Sequence, residues 1–152
     1  MRPTIRTVLS LTLVLLCPAR AAFSDLPTDL RAYEGKVVIV DFWASWCAPC
    51  RRSFPWLNAM HDRYADDGLV ILAVNMDQDR GAADRFLAEY PARFTVLFGE
   101  GETLARDFDV MAMPSSYLIG RDGKLLRRHL GFMVKDQDDY EAAISDALEH
   151  KE

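Results

Sequence analysis

The chain has 152 residues, of which 50% are hydrophobic, and a formal net charge of −5 at neutral pH. That length suits one ordinary domain with a real core. The acidic balance and the lack of a basic run speak against a nucleic-acid partner, and three cysteines are too few to staple a miniprotein.

The chain opens with Arg2 and Arg6, an apolar centre from Val8 to Leu16, and the small-x-small series Ala19-Arg20-Ala21. This pattern predicts a secretory signal over residues 1–21, cut after Ala21, with one domain over residues 22–152. The apolar stretch is shorter than the about 20 residues that span a bilayer. An uncleaved N-terminal membrane anchor is the alternative. A lipoprotein signal at Cys17 is disfavoured, because Leu16 stands where a small residue is wanted. Cutting after Ala21 removes Cys17 and three arginines, leaving 15 basic residues against 23 acids, a formal charge of −8. Cys47 and Cys50 are then the remaining cysteines. In an oxidising, periplasmic or secreted setting such a pair reads as catalytic, because so small a ring closes almost no chain entropy.

Phe23 to Lys36 is a polar lead-in with Leu26, Leu30 and Tyr33 as packing residues. The unbroken apolar run from Val37 to Val40 predicts a buried strand, continuing through Asp41, Phe42 and Trp43. A turn then leads into Trp46-Cys47-Ala48-Pro49-Cys50. Phe54, Leu57, Met60 and Tyr64 have helical spacing, so a helix is expected over residues 48–65, kinked at Pro55. Asp66-Asp67-Gly68 ends it, and Leu69 to Val74 forms a second buried strand. After a polar loop from Asp77 to Arg80, a helix is expected from Ala82 to Tyr90, stopped by Pro91. A short strand from Phe94 to Phe98 and a helix from Glu102 to Phe108 follow. Met113-Pro114-Ser115-Ser116 leads into the strand Tyr117-Leu118-Ile119. Arg121 to Lys124 makes a hairpin turn into an edge strand from Leu125 to Leu130, with a bulge at Gly131. Asp138 to Glu149 closes the domain as an amphipathic helix. The alternation implies an α/β fold with helices packed on a sheet, and the chain shows neither repeat nor linker.

A bare C-x-x-C fits half a zinc site as well as a redox pair. Placed between a strand and a helix, its first thiol lies where free backbone N–H groups and the helix dipole favour the thiolate. That suits thiol–disulfide exchange, with Cys47 attacking and Cys50 resolving. Together with the preceding strand, Phe42, Trp43, Trp46, and Asp41 six positions before Cys47, the motif resembles the thioredoxin superfamily. The extra strand and helix before Met113, with the series A-V-N-M-D and D-V-M-A-M-P-S-S-Y-L-I, resembles its TlpA/DsbE-like secreted branch. The resemblance implies a thioredoxin-like fold, a central mixed sheet flanked by helices on both faces. It also implies a cis bond at Pro114 that faces the disulfide, with the Met113 backbone offered to a substrate peptide.

The candidate catalytic residues are therefore Cys47, Cys50, Asp41 and Pro114, and the candidate substrate contacts are Trp46, Ala48, Pro49 and Met113. Asp41 inside an apolar strand should have a raised pKa and suits taking the proton of Cys50; a purely structural acid is the alternative. Neutral Ala48-Pro49 points to a moderately reducing pair, against a weak opposite push from Arg51 and Arg52. Trp43, Trp46, Ala48, Met111 and Met113 are expected to form an apolar surface around the disulfide. Trp56 reads as packing, and His61, His129 and His150 as surface residues. Asp77 and Asp79 are further candidates for an acid that assists the thiols, and neither is singled out.

The expected activity is protein-disulfide reduction without a cofactor or resident metal. Partners would be protein thiols or disulfides and a membrane thiol electron donor. By resemblance, substrates include the haem-attachment thiols of apocytochrome c or copper-site cysteines; the protein itself is expected to be a monomer. Two alternatives remain: a disulfide oxidase or isomerase, and a copper carrier using Cys47, Cys50, Met111 and Met113 as soft ligands.

Overall fold

The computed structural model describes residues 28–99 and 101–150. The expected signal segment and Leu26 lie outside them. Strand β1 (Val37–Trp43) is buried along its whole length. It lies between β2 (Leu69–Asn75), which runs parallel to it, and β4 (Ser115–Ile119), which runs antiparallel. β3 (Thr95–Leu97) extends the sheet beside β2, and β5 (Leu125–Leu130) beside β4, giving the order β3-β2-β1-β4-β5. A strand covered on both faces needs a continuous apolar run rather than alternation, and V-V-I-V-D-F-W supplies one with Asp41 as its single charge.

The connections decide which helix covers which face. α1 (Cys50–Tyr64) joins β1 to β2, and α2 (Arg80–Glu89) joins β2 to β3, both parallel steps in the same direction. Right-handed crossovers place both on one face. There Phe54, Leu57 and Met60 of α1 and Ala83 and Phe86 of α2 pack with Val37, Ile39 and Trp43. Ile144, Ala147 and Leu148 of α4 (Gln137–Glu149) complete that cluster. The chain returns across the other face through α3 (Gly101–Asp107). Leu104 of α3 and Leu30 of the 3-10 helix Thr28–Tyr33 meet Val38, Val40 and Phe42 there. Leu30 and Tyr33 thus pack as expected of the lead-in. Each fully buried Leu or Phe contributes about 1.5–3 kcal/mol.

Several expectations are corrected in detail. Trp43 is fully buried rather than part of the surface around the disulfide. Its odd position on β1 points it under the helices, where its ring centroid lies 4.9 Å from Phe54 and 4.8 Å from Phe86. α1 begins at Cys50, because Ala48-Pro49 still belong to a turn. The helix runs on through the exposed Pro55, which cannot donate to the Arg51 carbonyl. The bulge of the β4–β5 hairpin lies at Leu126, where the register shifts between Leu118 and Ile119. Gly131 instead ends the strand at φ +77° and donates its N–H to the Pro114 carbonyl at 2.8 Å. Gly101 starts α3 so close to β2 that a Cβ would meet the Asn75 carbonyl oxygen at 2.6 Å.

Candidate active site

The site forms where β1 ends and α1 begins. Cys47 and Cys50 are joined by a disulfide with a Cα–Cα separation of 5.4 Å. Three residues of turn precede it, and a chain that must reverse from strand into helix needs something to hold that turn. Asp77 does so: one carboxylate oxygen accepts the Ser45 N–H and the other the Ser45 hydroxyl, each at 2.8 Å. Asn75, at the end of β2, donates its side-chain amide to Asp77 at 2.8 Å and accepts the Asp77 N–H at 3.2 Å. The Cys47 N–H then bonds the Ala44 carbonyl at 3.0 Å, and the Cys50 N–H the Cys47 carbonyl at 3.1 Å.

Asp77, of the candidate acids, thus clamps the turn before the disulfide. Asp79 serves elsewhere, accepting the Gly81 N–H at 2.9 Å as the cap of α2. The Ser45–Asp77 clamp spans 32 positions, which is why the sequence alone left the choice open.

The first turn of α1 carries no acid, and Arg51 and Arg52 are exposed beside it. The positive helix end is therefore not offset locally, and a thiolate formed there is stabilised. Cys47 retains 3% exposure and Cys50 none, so the first sulfur is the more accessible of the two. Around them Trp46 is 65% exposed, Ala48 is exposed and Pro49 partly so. Met113 packs against the cluster that contains both cysteines, while Met111 is exposed. The Met113–Pro114 bond is cis, and Pro114 is buried with its carbonyl held by Gly131. Met113 sits just ahead of Ser115, the first paired residue of β4.

Asp41 is fully buried, on the sheet face shared by Ile39, Trp43 and the cysteines. Burial pushes its carboxyl up to about 7, against a downward pull from Ser116, whose hydroxyl donates to Oδ1. Oδ2 has no hydrogen-bond partner among the described residues. A carboxyl balanced near neutrality can both take and release a proton. Ser116 was not among the sequence candidates. Nor was Ser53, one turn along α1, which donates to the Cys50 carbonyl at 3.2 Å. Trp56 packs as expected, against Phe132 and Tyr140. His129 departs from expectation: it is half-buried, its ring centroid 3.6 Å from that of Tyr140.

The redoxin family model matches residues 21–144 of this chain. The chain belongs to the redoxin family. Its mixed sheet, with helices on both faces and the C-x-x-C pair at the end of β1, is the thioredoxin fold in its TlpA/DsbE-like form. Among relatives of this redoxin, the thiol-disulfide oxidoreductase ResA of Bacillus thuringiensis is 31% identical over 109 residues, covering 72% of this chain. The match covers 63% of ResA, so the chain spans under two thirds of the curated relatives it matches. A Chlorobium tepidum structure provisionally named thiol:disulfide interchange protein DsbE is similar at 47% identity and a TM-score of 0.75. That match covers 78% of this redoxin and 84% of the other chain. StoA from Bacillus subtilis shares the fold at 21% identity and a TM-score of 0.63, over 72% of this chain and 83% of its own.

Proposed function

We propose that this redoxin is a thiol–disulfide oxidoreductase that reduces protein disulfides outside the cytoplasm. The observation that carries the reading is the Cys47–Cys50 disulfide at an uncompensated helix start, with a buried acid near neutrality on the same face. In the reduced protein the Cys47 thiolate attacks a substrate disulfide, forming a mixed disulfide and expelling one substrate thiolate. The Cys50 thiol then gives its proton to Asp41 and attacks the Cys47 sulfur. The Cys47–Cys50 bond forms, the bond to the substrate breaks, and the second substrate thiolate leaves.

Exposed Trp46 and Ala48, with Pro49 and Met113, supply an apolar rim for the incoming chain. Cis-Pro114 presents the Met113 backbone to it in strand-like pairing. The neutral Ala48-Pro49 insert supports the reducing direction. The basic start, apolar centre and small-x-small end of residues 1–21 support export, and a membrane thiol donor would then re-reduce the pair. Apocytochrome c haem-attachment thiols and copper-site cysteines are the substrate classes to try first.

The test is the redox equilibrium against glutathione, with Cys47→Ser as control. A potential well below about −200 mV is expected. A value near about −120 mV would make the protein a disulfide donor and overturn the reductase assignment.

A further inference from the structure

An acid that takes a proton in a dry interior must also be able to release it, and Asp41 is fully buried. Three polar side chains lie in one row across the sheet beside the disulfide. Asp41 on β1 is in register with Ser116 on β4, and Ser116 is in register with His129 on β5. Residues opposite one another in a sheet share a face, so the row faces α1 and α4. The Ser116 hydroxyl donates to Asp41. Ser116 and His129, with Ser53, Trp56 and Tyr140, also line a cavity of about 20 Å³. Roughly 10–15 Å³ of such volume holds one water, provided polar partners are at hand. Ser53, Ser116 and His129 are such partners. The row begins at a group with no exposure and ends at a half-buried imidazole.

We propose that Ser116, one water in this cavity and His129 form the route by which Asp41 exchanges protons with solvent. The proposal rests on Asp41 accepting the Cys50 proton, as above. Once protonated, Asp41 reverses its hydrogen bond and donates to Ser116 Oγ, which has lone pairs to accept it. The Ser116 hydroxyl proton passes to the water, the water passes one to a ring nitrogen of His129, and the other ring nitrogen releases its proton to solvent. One proton leaves; Asp41 and Ser116 return to their starting state, and His129 is left in its other neutral tautomer, which exchange of its ring protons with solvent resets.

The groups facing His129 suit this passage. They are Arg127 on its own strand, Asp136 in the turn before α4, and Tyr140 on α4. Burial first, and then Arg127, hold the imidazole down at about 4, with Asp136 opposing. The ring is therefore neutral near pH 7, with one nitrogen free to accept and the other able to donate.

The experiment holds the reduced protein at pH 5, where Asp41 is protonated, and mixes it rapidly with a disulfide substrate buffered at pH 6 to 9. Asp41 must then lose its proton before it can accept that of Cys50, and formation of the Cys47–Cys50 disulfide is followed. The experiment compares the wild type with Asp41→Asn, Ser116→Ala, His129→Phe and His129→Gln, and with each of the last three combined with Asp41→Asn. His129→Phe keeps a ring against Tyr140, and His129→Gln keeps hydrogen bonding without a titrating group. Asp41→Asn is expected to slow the step. Each row variant is expected to slow it about tenfold near pH 7. The double variants are expected to be no slower than Asp41→Asn alone. If Asp41→Asn is slow while the Ser116 and His129 variants match the wild type, the route falls and the role of Asp41 stands. Wild-type rates in Asp41→Asn overturn both. Losses that multiply in the double variants, or full activity in His129→Gln, overturn the route.

Discussion

The two faces of the sheet use the same strands and bury different things. Under α3 and the 3-10 lead-in, Val38, Val40, Phe42, Leu72, Val74 and Ile119 form an aliphatic and aromatic layer. Under α1, α2 and α4, Trp43, Phe54 and Phe86 are in mutual contact. That face also holds both cysteines, Asp41 and Ser53. An isolated buried carboxyl with an unpaired oxygen destabilises a fold. The apolar face therefore serves as the support that lets the other face carry chemistry.

The largest effect expected is on the chemical face: Cys47→Ser abolishes exchange with glutathione while leaving the thermal transition of the reduced protein near that of the wild type. Retained exchange would move the chemistry away from this pair. Phe42→Ala and Phe54→Ala come next, each costing about 3–5 kcal/mol in urea unfolding. They should differ in consequence. Phe54 lies one turn after Cys50, so its loss also shifts the glutathione equilibrium, whereas loss of Phe42 on the far face does not. An equal shift in both would dissolve the division between the faces.

Asp41 gives the third prediction, through pH. Its carboxyl rises from 3.8 to about 7 on folding, so the folded state binds the proton more tightly. Its stabilising contribution is full below about pH 4 and is lost as pH rises through about 7, a change on the order of 4 kcal/mol. His129 acts in the opposite sense. Folding lowers it from 6.5 to about 4, so stability falls as pH drops through that range. Urea midpoints of the oxidised protein from pH 4 to 8 should show the Asp41 slope in the wild type. In Asp41→Asn a rise with pH should remain, from His129 and, at the acid end, from Asp122, whose carboxyl is held below its ordinary value by Lys124. A slope unchanged by the substitution would show that Asp41 is not the group responsible. The smallest effect is at the clamp. Asp77→Ala removes the partner of Ser45 and should cost about 1–3 kcal/mol, with a modest slowing of exchange. No change in either would mean that the turn holds itself.

What the sequence determined by itself was local and periodic. The apolar run of β1, the helical spacing of Phe54, Leu57 and Met60, and the placing of C-x-x-C between them all follow from which residues must leave water. So did the burial of Asp41, because a single acid inside such a run has nowhere else to go. The tertiary structure decided which polar groups meet. Ser116 reaches Asp41 across 75 positions, and Asp77 reaches Ser45 across 32. It also turned Trp43 inward and seated His129 against Tyr140. Hydrophobic periodicity states how deep a residue lies. The register between strands far apart in the chain decides what it touches, and no local pattern encodes that register.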